Sequence, residues 1–267
     1  MIVIKIGGSV VDGLHESTMH DLKDIVSHEK VILVHGGGKE VTSIAEKLGK
    51  EQKFVVSPGG IRSRYTDKET AQIYTMVMSG KINKEIVLML QKNGINAIGL
   101  SGVDGGIIKA ERKKKLIIVD ERGRKVAIDG GYTGKITTVN SSLLQSVIES
   151  GYVPIVSPVA LSEEFDLLNV DGDRAAAYVA GSVKADRVIF ITNVNGLMMD
   201  NKLVTKLTVS EAKKMLPKIG FGMEKKVLAC TEAVSRGVKE AIIASGQVSN
   251  PISSALKHDN CTVISGE

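Results

Sequence analysis

Short runs of apolar, often β-branched residues alternate along this chain with segments whose apolar positions recur at helical spacing. Ile2–Ile6 and Val31–His35 have the first pattern, and residues 18–27 and 40–48 have the second. Strand, helix and strand in succession predict βαβ units and therefore a parallel sheet with helices on both faces. The expected architecture is α/β, a three-layer α/β/α sandwich with a largely parallel central sheet.

Two helix starts are marked by local chemistry. Thr66-x-x-Glu69 and Thr208-x-x-Glu211 have capping-box spacing, in which hydroxyl and carboxylate satisfy reciprocal first-turn amides. Helices are predicted to run forward from about Asp67 and Val209. The alternation breaks over residues 54–65, around Pro58-Gly59-Gly60, and over 107–128, around Glu121-Arg122-Gly123-Arg124. Each break reads as two strands joined by a turn, so both segments are expected to be hairpins that act as lids. A further break at residues 162–166 sets an expected boundary near Ala160, dividing the chain into lobes 1–160 and 161–267.

With 267 residues the chain can bury a sizeable core without staples, and its two cysteines, Cys230 and Cys261, are expected to be buried thiols. No apolar run approaches the roughly 20 residues that span a bilayer. The opening strand reaches Gly7-Gly8 before a signal-peptide core could form, so a cytoplasmic protein with no membrane partner is expected. Aromatic residues are 3% and Trp is absent, leaving little to stack on bases and arguing against a nucleic-acid partner. The net charge of +5 is concentrated: residues 109–125 hold eight basic and three acidic residues, an excess equal to that of the whole chain. Lysines and arginines there could simply discourage edge pairing, or could steer an acidic partner.

Glycines cluster after predicted strands, at Gly7-Gly8, at Gly36-Gly37-Gly38, and at Gly99 and Gly102. Such loops let the backbone approach a ligand, and the helix N-terminus that follows favours an anion, phosphate above all. Neither a Walker A motif nor a dinucleotide fingerprint is present. His15, His20, His28 and His258 lack ligand spacing, and His35 beside the glycine loop reads as a structural residue, so no metal site is assigned to histidine.

The more specific signal is a combination: Lys5 before Gly7-Gly8, His35-Gly36-Gly37-Gly38, Arg64-x-Thr66-Asp67, Asn169-x-x-x-Asp173, and Lys226 in Gly222-Met223-Glu224-Lys225-Lys226. With these motifs the chain resembles the amino-acid kinase family, in particular its acetylglutamate kinase-like members, from Lys5 to Lys226. Gly59-Gly60-Ile61-Arg62-Ser63-Arg64-Tyr65-Thr66-Asp67 and Gly131-Tyr132-Thr133-Gly134 resemble most the branch acting on aminoadipate or glutamate attached to the small acidic amino-group carrier protein LysW.

The resemblance implies the amino-acid kinase fold, ATP with Mg2+, an acyl phosphate product in lysine or arginine biosynthesis, and a homodimer formed through the first lobe. It gives Lys5 and Lys226 the place beside the transferring phosphoryl group, with Asp173 holding both and Gly8, Gly37 and Gly38 offering amides. Arg64 is expected to bind the acceptor's α-carboxylate bidentately, and Asn169 the amide made from its nitrogen. Gly7, Thr192, Asn193, Gly196, Gly222 and Met223 fall where the family binds ATP. The basic segment, through Lys113, Lys114, Lys115, Arg122 and Arg124 together with Arg62, is expected to dock the carrier. The competing readings are an acetylglutamate kinase acting on a free small molecule, a nucleoside-monophosphate kinase and a non-catalytic nucleotide sensor. Asp173 could also be a plain helix cap, and 192–196 a plain strand-to-loop turn.

Overall fold

The computed structural model describes residues 1–8, 16–220 and 222–267. In chain order the first half runs β1 (Ile2–Ile6), α1 (Glu16–His28), β2 (Val31–His35), α2 (Gly38–Lys47), β3 (Phe54–Val56), β4 (Arg62–Arg64), α3 (Lys68–Thr75), a π-helical stretch (Met76–Ile82), α4 (Asn83–Lys92), β5 (Ala97–Ser101), β6 (Ile108–Arg112), β7 (Lys115–Val119), β8 (Lys125–Asp129), β9 (Gly134–Val139) and α5 (Ser141–Glu149). The second half runs β10 (Val153–Ser157), β11 (Val159–Leu161), β12 (Leu167–Asn169), α6 (Gly172–Ser182), β13 (Arg187–Thr192), β14 (Met198–Met199), β15 (Lys202–Leu203), β16 (Lys206–Thr208), α7 (Val209–Met215), α8 (Met223–Ser235), β17 (Glu240–Ser245), α9 (Pro251–Leu256) and β18 (Thr262–Ser265).

Eight strands form the central sheet in the order β16-β18-β17-β13-β1-β2-β10-β5. The six from β17 to β5 are parallel, and only β18 and β16 at one edge run the other way. Strands preceding residue 160 build one half of this sheet and strands following it the other, joined where β1 pairs with β13 from Ile2↔Arg187 to Ile6↔Ile191. The period-two rule then sorts the core. Ile2, Ile4 and Ile6 pack with residues of α1, α2, α4 and α9, whereas Val3 packs on the opposite layer with Ala175–Ala180 of α6 and Val227 of α8. No helix of the described residues is long and apolar enough to cross a membrane. Cys230 and Cys261 are both buried and free.

The expected hairpin at 54–65 is present as β3 and β4, paired from Phe54↔Arg64 to Val56↔Arg62. The one expected over 107–128 is shorter and differently built: its arms are β7 and β8, paired from Lys115↔Asp129 to Val119↔Lys125. Residues 108–112 instead form β6 in a second sheet, ordered β12-β11-β6-β9. Burial explains the difference. Ile107, Ile108 and Ala110 are sealed in the core, which fixes β6 there, while residues from Lys114 onward are mostly solvent-facing.

The capping box at Thr208 forms as expected, its hydroxyl accepting from Glu211 N and the Glu211 carboxylate accepting from Thr208 N. The one at Thr66 does not. Asp67 is the cap of α3 and accepts from Thr70 N at 2.8 Å, while Glu69 pairs with Lys50 at 2.7 Å rather than reaching back. Thr66 is fully buried, which frees its hydroxyl for tertiary contacts. Gly99 lies inside β5 rather than after it, and a Cβ there would overlap the Asn83 side chain, so packing rather than anion binding requires it.

Candidate active site

The carboxyl ends of parallel strands and the N-termini of the helices that follow converge on one edge of the sheet, the edge where open α/β sheets bind ligands. Lys5 near the end of β1, Asp173 in the first turn of α6 and Lys226 in the first turn of α8 meet there. Lys5 Nζ lies 2.6 Å from Asp173 Oδ1, and Lys226 Nζ lies 3.0 Å from Asp173 Oδ2. The side chains of Lys5 and Asp173 are each 7% exposed and nearly out of water, while Lys226 is half-buried. Burial alone would raise the Asp173 pKa, but the two ammonium groups outweigh it and hold the carboxyl below its ordinary range. The helix cap considered for Asp173 belongs to Asp171, whose carboxylate accepts from Asp173 N at 3.0 Å and Arg174 N at 3.1 Å. Capping by Asp171 leaves Asp173 available to bridge the lysines.

Two glycine loops close over this trio. A Cβ on Gly8 would sit 2.7 Å from Gly37 N, so the loops touch backbone to backbone and any side chain would force them apart. From the other side Met78 and Ile82 of the π-helical stretch press on Gly37, where a Cβ would overlap the Ile82 side chain. π-bulges recur at functional sites because they re-aim a helix face without ending it. Asn83, which follows, is fully buried and donates through Nδ2 to Ile155 O at 2.9 Å and to His35 Nε2 at 3.3 Å. His35 donates through Nδ1 to Gly36 O at 3.0 Å, and burial lowers its pKa to about 4, keeping the ring neutral. Its role is to brace the loop, as the sequence suggested.

Above the trio opens a cleft of about 590 Å³. One wall carries Arg64, half-buried, whose Nη2 donates to Gly38 O at 2.7 Å and to Thr42 Oγ1 at 2.9 Å, while Nη1 donates to Gln52. Either guanidinium edge that can grip a carboxylate with two parallel bonds uses Nη2, so a bidentate hold requires one of its two bonds to open. Burial lowers the Arg64 pKa, and no carboxylate pairs with it among the described residues.

The opposite wall is assembled around Thr66. Its hydroxyl accepts from Asn169 Nδ2 at 2.9 Å and its carbonyl accepts from Tyr132 N at 2.6 Å. Gly131 has φ +57° and no room for a Cβ against the Thr66 carbonyl. The segments 59–67, 131–134 and 169–173, far apart in sequence, therefore interlock at one threonine. Beside it the Thr133 hydroxyl is buried with no hydrogen-bond partner, an arrangement that costs about 1–3 kcal/mol in an isolated chain. The two hairpins roof the cleft with Phe54, Val55, Leu116 and Ile118.

Of the residues singled out in the sequence, Lys5, Gly8, Gly37, Gly38, Arg62, Arg64, Lys113, Asn169 and Asp173 line this cleft, and Lys226 touches it through Asp173. Lys114, Lys115, Arg122 and Arg124 do not line it and are exposed. Gly7, Thr192, Asn193, Gly196, Gly222 and Met223 also lie outside its lining. Gly7 and Thr192 sit at the carboxyl ends of the adjacent strands β1 and β13, with Gly7 N donating to Ile191 O at 3.1 Å. Gly196 is buried where a Cβ would overlap the Thr262 hydroxyl. Asp171, Thr66, Arg174 and Lys225 escaped the sequence reading as site residues. Asp171 alone had a usable signal, an Asp opening a strand-to-helix turn two residues before Asp173. Among the described residues no three His, Cys, Asp or Glu side chains are grouped to hold a metal ion.

A family model described as Amino acid kinase family matches residues 1–245. A Nitrosopumilus maritimus (strain SCM1) protein named "Putative LysW-aminoadipate/LysW-glutamate kinase" is 69% identical, with 100% of each chain covered. A LysW-aminoadipate/LysW-glutamate kinase of Saccharolobus islandicus (strain L.S.2.15 / Lassen #1) is 46% identical, again over 100% of both. Among solved structures, that of smu.665 from Streptococcus mutans UA159 superposes with a TM-score of 0.80 at 22% identity, covering 100% of this chain and 98% of that one.

Proposed function

This chain belongs to the amino acid kinase family, and from that premise we propose that it is the ATP-dependent kinase that phosphorylates the side-chain carboxylate of aminoadipate or glutamate attached to LysW, in lysine and arginine biosynthesis. The observation that carries the reading is the buried bridge of Lys5, Asp173 and Lys226 beneath the cleft. The acceptor carboxylate, with an ordinary pKa near 4.3, is already ionised at neutral pH and needs no base. One of its oxygens attacks the γ-phosphorus in line, the bond from that phosphorus to the β–γ bridging oxygen breaks, and ADP leaves with the electron pair. The obstacle is repulsion between two anions. Lys5 and Lys226 offset it with charge that is already in place, and the amides of Gly8, Gly37 and Gly38 add donors that need no reorganisation. Asp173, with both oxygens held by ammonium groups and its pKa low, aligns the lysines and takes no proton.

Asn169 offers its Oδ1 to the N–H of the acceptor's amide, since its Nδ2 is held by Thr66. Arg64 faces the acceptor's α-carboxylate. Residues 1–160 form the acceptor lobe and 161–267 the ATP lobe, the latter with Thr192, Asn193, Gly196, Gly222 and Met223 beside the nucleotide and Gly7 supplied from the first lobe. Mg2+ would supply charge neutralisation at the phosphates, held mainly by phosphate oxygens and water, because of the carboxylates lining the cleft Asp173 bridges the two lysines and Asp171 caps a helix. The exposed Lys114, Lys115 and Arg122, with Arg62 on the facing hairpin, steer the acidic carrier. Arg124 adds less, being paired with Asp120 at 2.8 Å. The working form is a cytoplasmic homodimer joined through the first lobe.

Hydroxylamine trapping of the acyl phosphate tests the reading. Hydroxamate from LysW-linked aminoadipate or glutamate in far greater yield than from free N-acetylglutamate is the expected result. Comparable turnover of the free compound would make this an acetylglutamate kinase instead.

A further inference from the structure

Five cationic side chains line the cleft above the Lys5–Asp173–Lys226 bridge, and four of them are engaged by the protein. Arg174 is paired with Glu232 through two bonds of 2.6 and 2.9 Å, and Lys225 donates to Arg62 O at 2.6 Å. Arg62 lies over the Phe54 ring at 4.2 Å, and Arg64 spends both Nη2 protons on Gly38 and Thr42. Among the described residues the Lys113 ammonium has no hydrogen bond and no carboxylate at ion-pair distance, and Asp171 is the carboxylate that acts on its charge from further off.

The fold nevertheless fixes where Lys113 stands. It occupies the turn between buried β6 and exposed β7, with its N–H donating to Thr133 O at 2.9 Å and Gly130 packed so tightly on its carbonyl that no Cβ fits there. Burial first, then Arg174 and Lys135, disfavour its charged form and outweigh the support it draws from Asp171, so a bound anion would stabilise it. Thr133, whose carbonyl accepts the Lys113 N–H, also lines the cleft, and its hydroxyl has no partner within the protein. A cation without a bonded partner and an idle hydroxyl thus line the same cleft on residues joined backbone to backbone.

The inference rests on the carrier-linked reading given above. An acceptor joined through its amine keeps two carboxylates: the reacting one belongs at the bridge, and the α-carboxylate faces Arg64. Neither is left for Lys113. We propose that Lys113 and Thr133 form a subsite for a carboxylate on the carrier's side of the amide link, and that this subsite makes the cleft prefer a carrier-linked acceptor to a small N-acylated one. Unlike Lys114 and Lys115, which meet the carrier's surface, Lys113 reads the tether inside the cleft.

The test compares wild type, Lys113→Met, Lys113→Arg and Thr133→Val in steady-state kinetics with LysW-linked aminoadipate. N-acetylaminoadipate is run alongside as substrate or competitive inhibitor. The expected result for Lys113→Met is a KM for the linked acceptor raised about tenfold or more, from loss of one charge-assisted hydrogen bond. The loss should be confined to that KM, with the KM for ATP and the constants for N-acetylaminoadipate unmoved, and Lys113→Arg should recover most of it. Thr133→Val should move the same constant by about threefold, and it keeps the test open should Lys113→Met fold poorly. An unchanged KM for the linked acceptor, or equal losses on both acceptors, overturns the subsite. Failure of the wild type itself on the linked acceptor overturns the functional reading and the subsite with it.

Discussion

The floor and the mouth of the cleft are built on opposite electrostatic plans. At the floor one carboxylate serves two ammonium groups and two glycine loops meet backbone to backbone, all on strands and helices of the central sheet. At the mouth, exposed cations outnumber their partners and sit on two-stranded hairpins that belong to neither large sheet. On the function proposed above, the charge needed as a phosphoryl group passes is the charge locked onto rigid elements, where it needs no reorganisation. On the same reading, the charge that steers the carrier is the exposed charge, which acts at a distance and is screened by salt.

Breaking the floor should have the largest effect. Lys226→Met or Lys5→Met is expected to lower kcat by about a hundredfold to a thousandfold, with the KM for the acceptor little changed. Next, Asp173→Asn leaves the buried Lys5 ammonium and the half-buried Lys226 ammonium uncompensated and should destabilise the fold by about 3 kcal/mol at neutral pH in urea unfolding. Because the folded pKa of Asp173 is lowered, its stabilising contribution is fully present above the ordinary value of 3.8 and is lost as pH falls through the folded value. The gap between wild type and Asp173→Asn should therefore shrink in strong acid.

His35 sharpens the same half of the comparison. Its folded pKa of about 4 lies below the ordinary 6.5, so its contribution is present above 6.5 and is lost as pH falls from there to 4. Urea midpoints of the wild type should decline over that window, and those of His35→Gln should decline less. The smallest effects belong to the mouth. Lys114→Glu with Lys115→Glu should raise the KM for the carrier-linked acceptor several-fold at low salt, fade as salt is added, and leave ATP untouched. Arg124→Glu should do less, since Asp120 already offsets that charge.

The floor was also more legible in the sequence than the mouth. Lys5, Asp173 and Lys226 stand out through motifs the chain shares with a known family rather than through periodicity, and the structure brings them within bonding distance. Thr66 was misread because the same Thr-x-x-Glu spacing that caps α7 is overridden at α3, where burial and the side chains of Asn169 and Asp67 claim its neighbourhood. The second hairpin was misjudged because alternating apolar residues at 107–112 do not say which strand they pair with; β9, more than twenty residues later, decides it. Lys113 looked like its exposed neighbours and differs from them only by tertiary placement. The nearly touching Gly8 and Gly37 could be suspected from composition, but their mutual contact could not.

The central claim is that the paired lysines act on the transferring phosphoryl group. It is tested most directly by single-turnover hydroxamate formation from LysW-linked acceptor in Lys226→Met, with nucleotide saturating. The expected rate is at least a hundredfold below wild type while bound ATP and bound carrier remain measurable. A rate within threefold of wild type would contradict the claim.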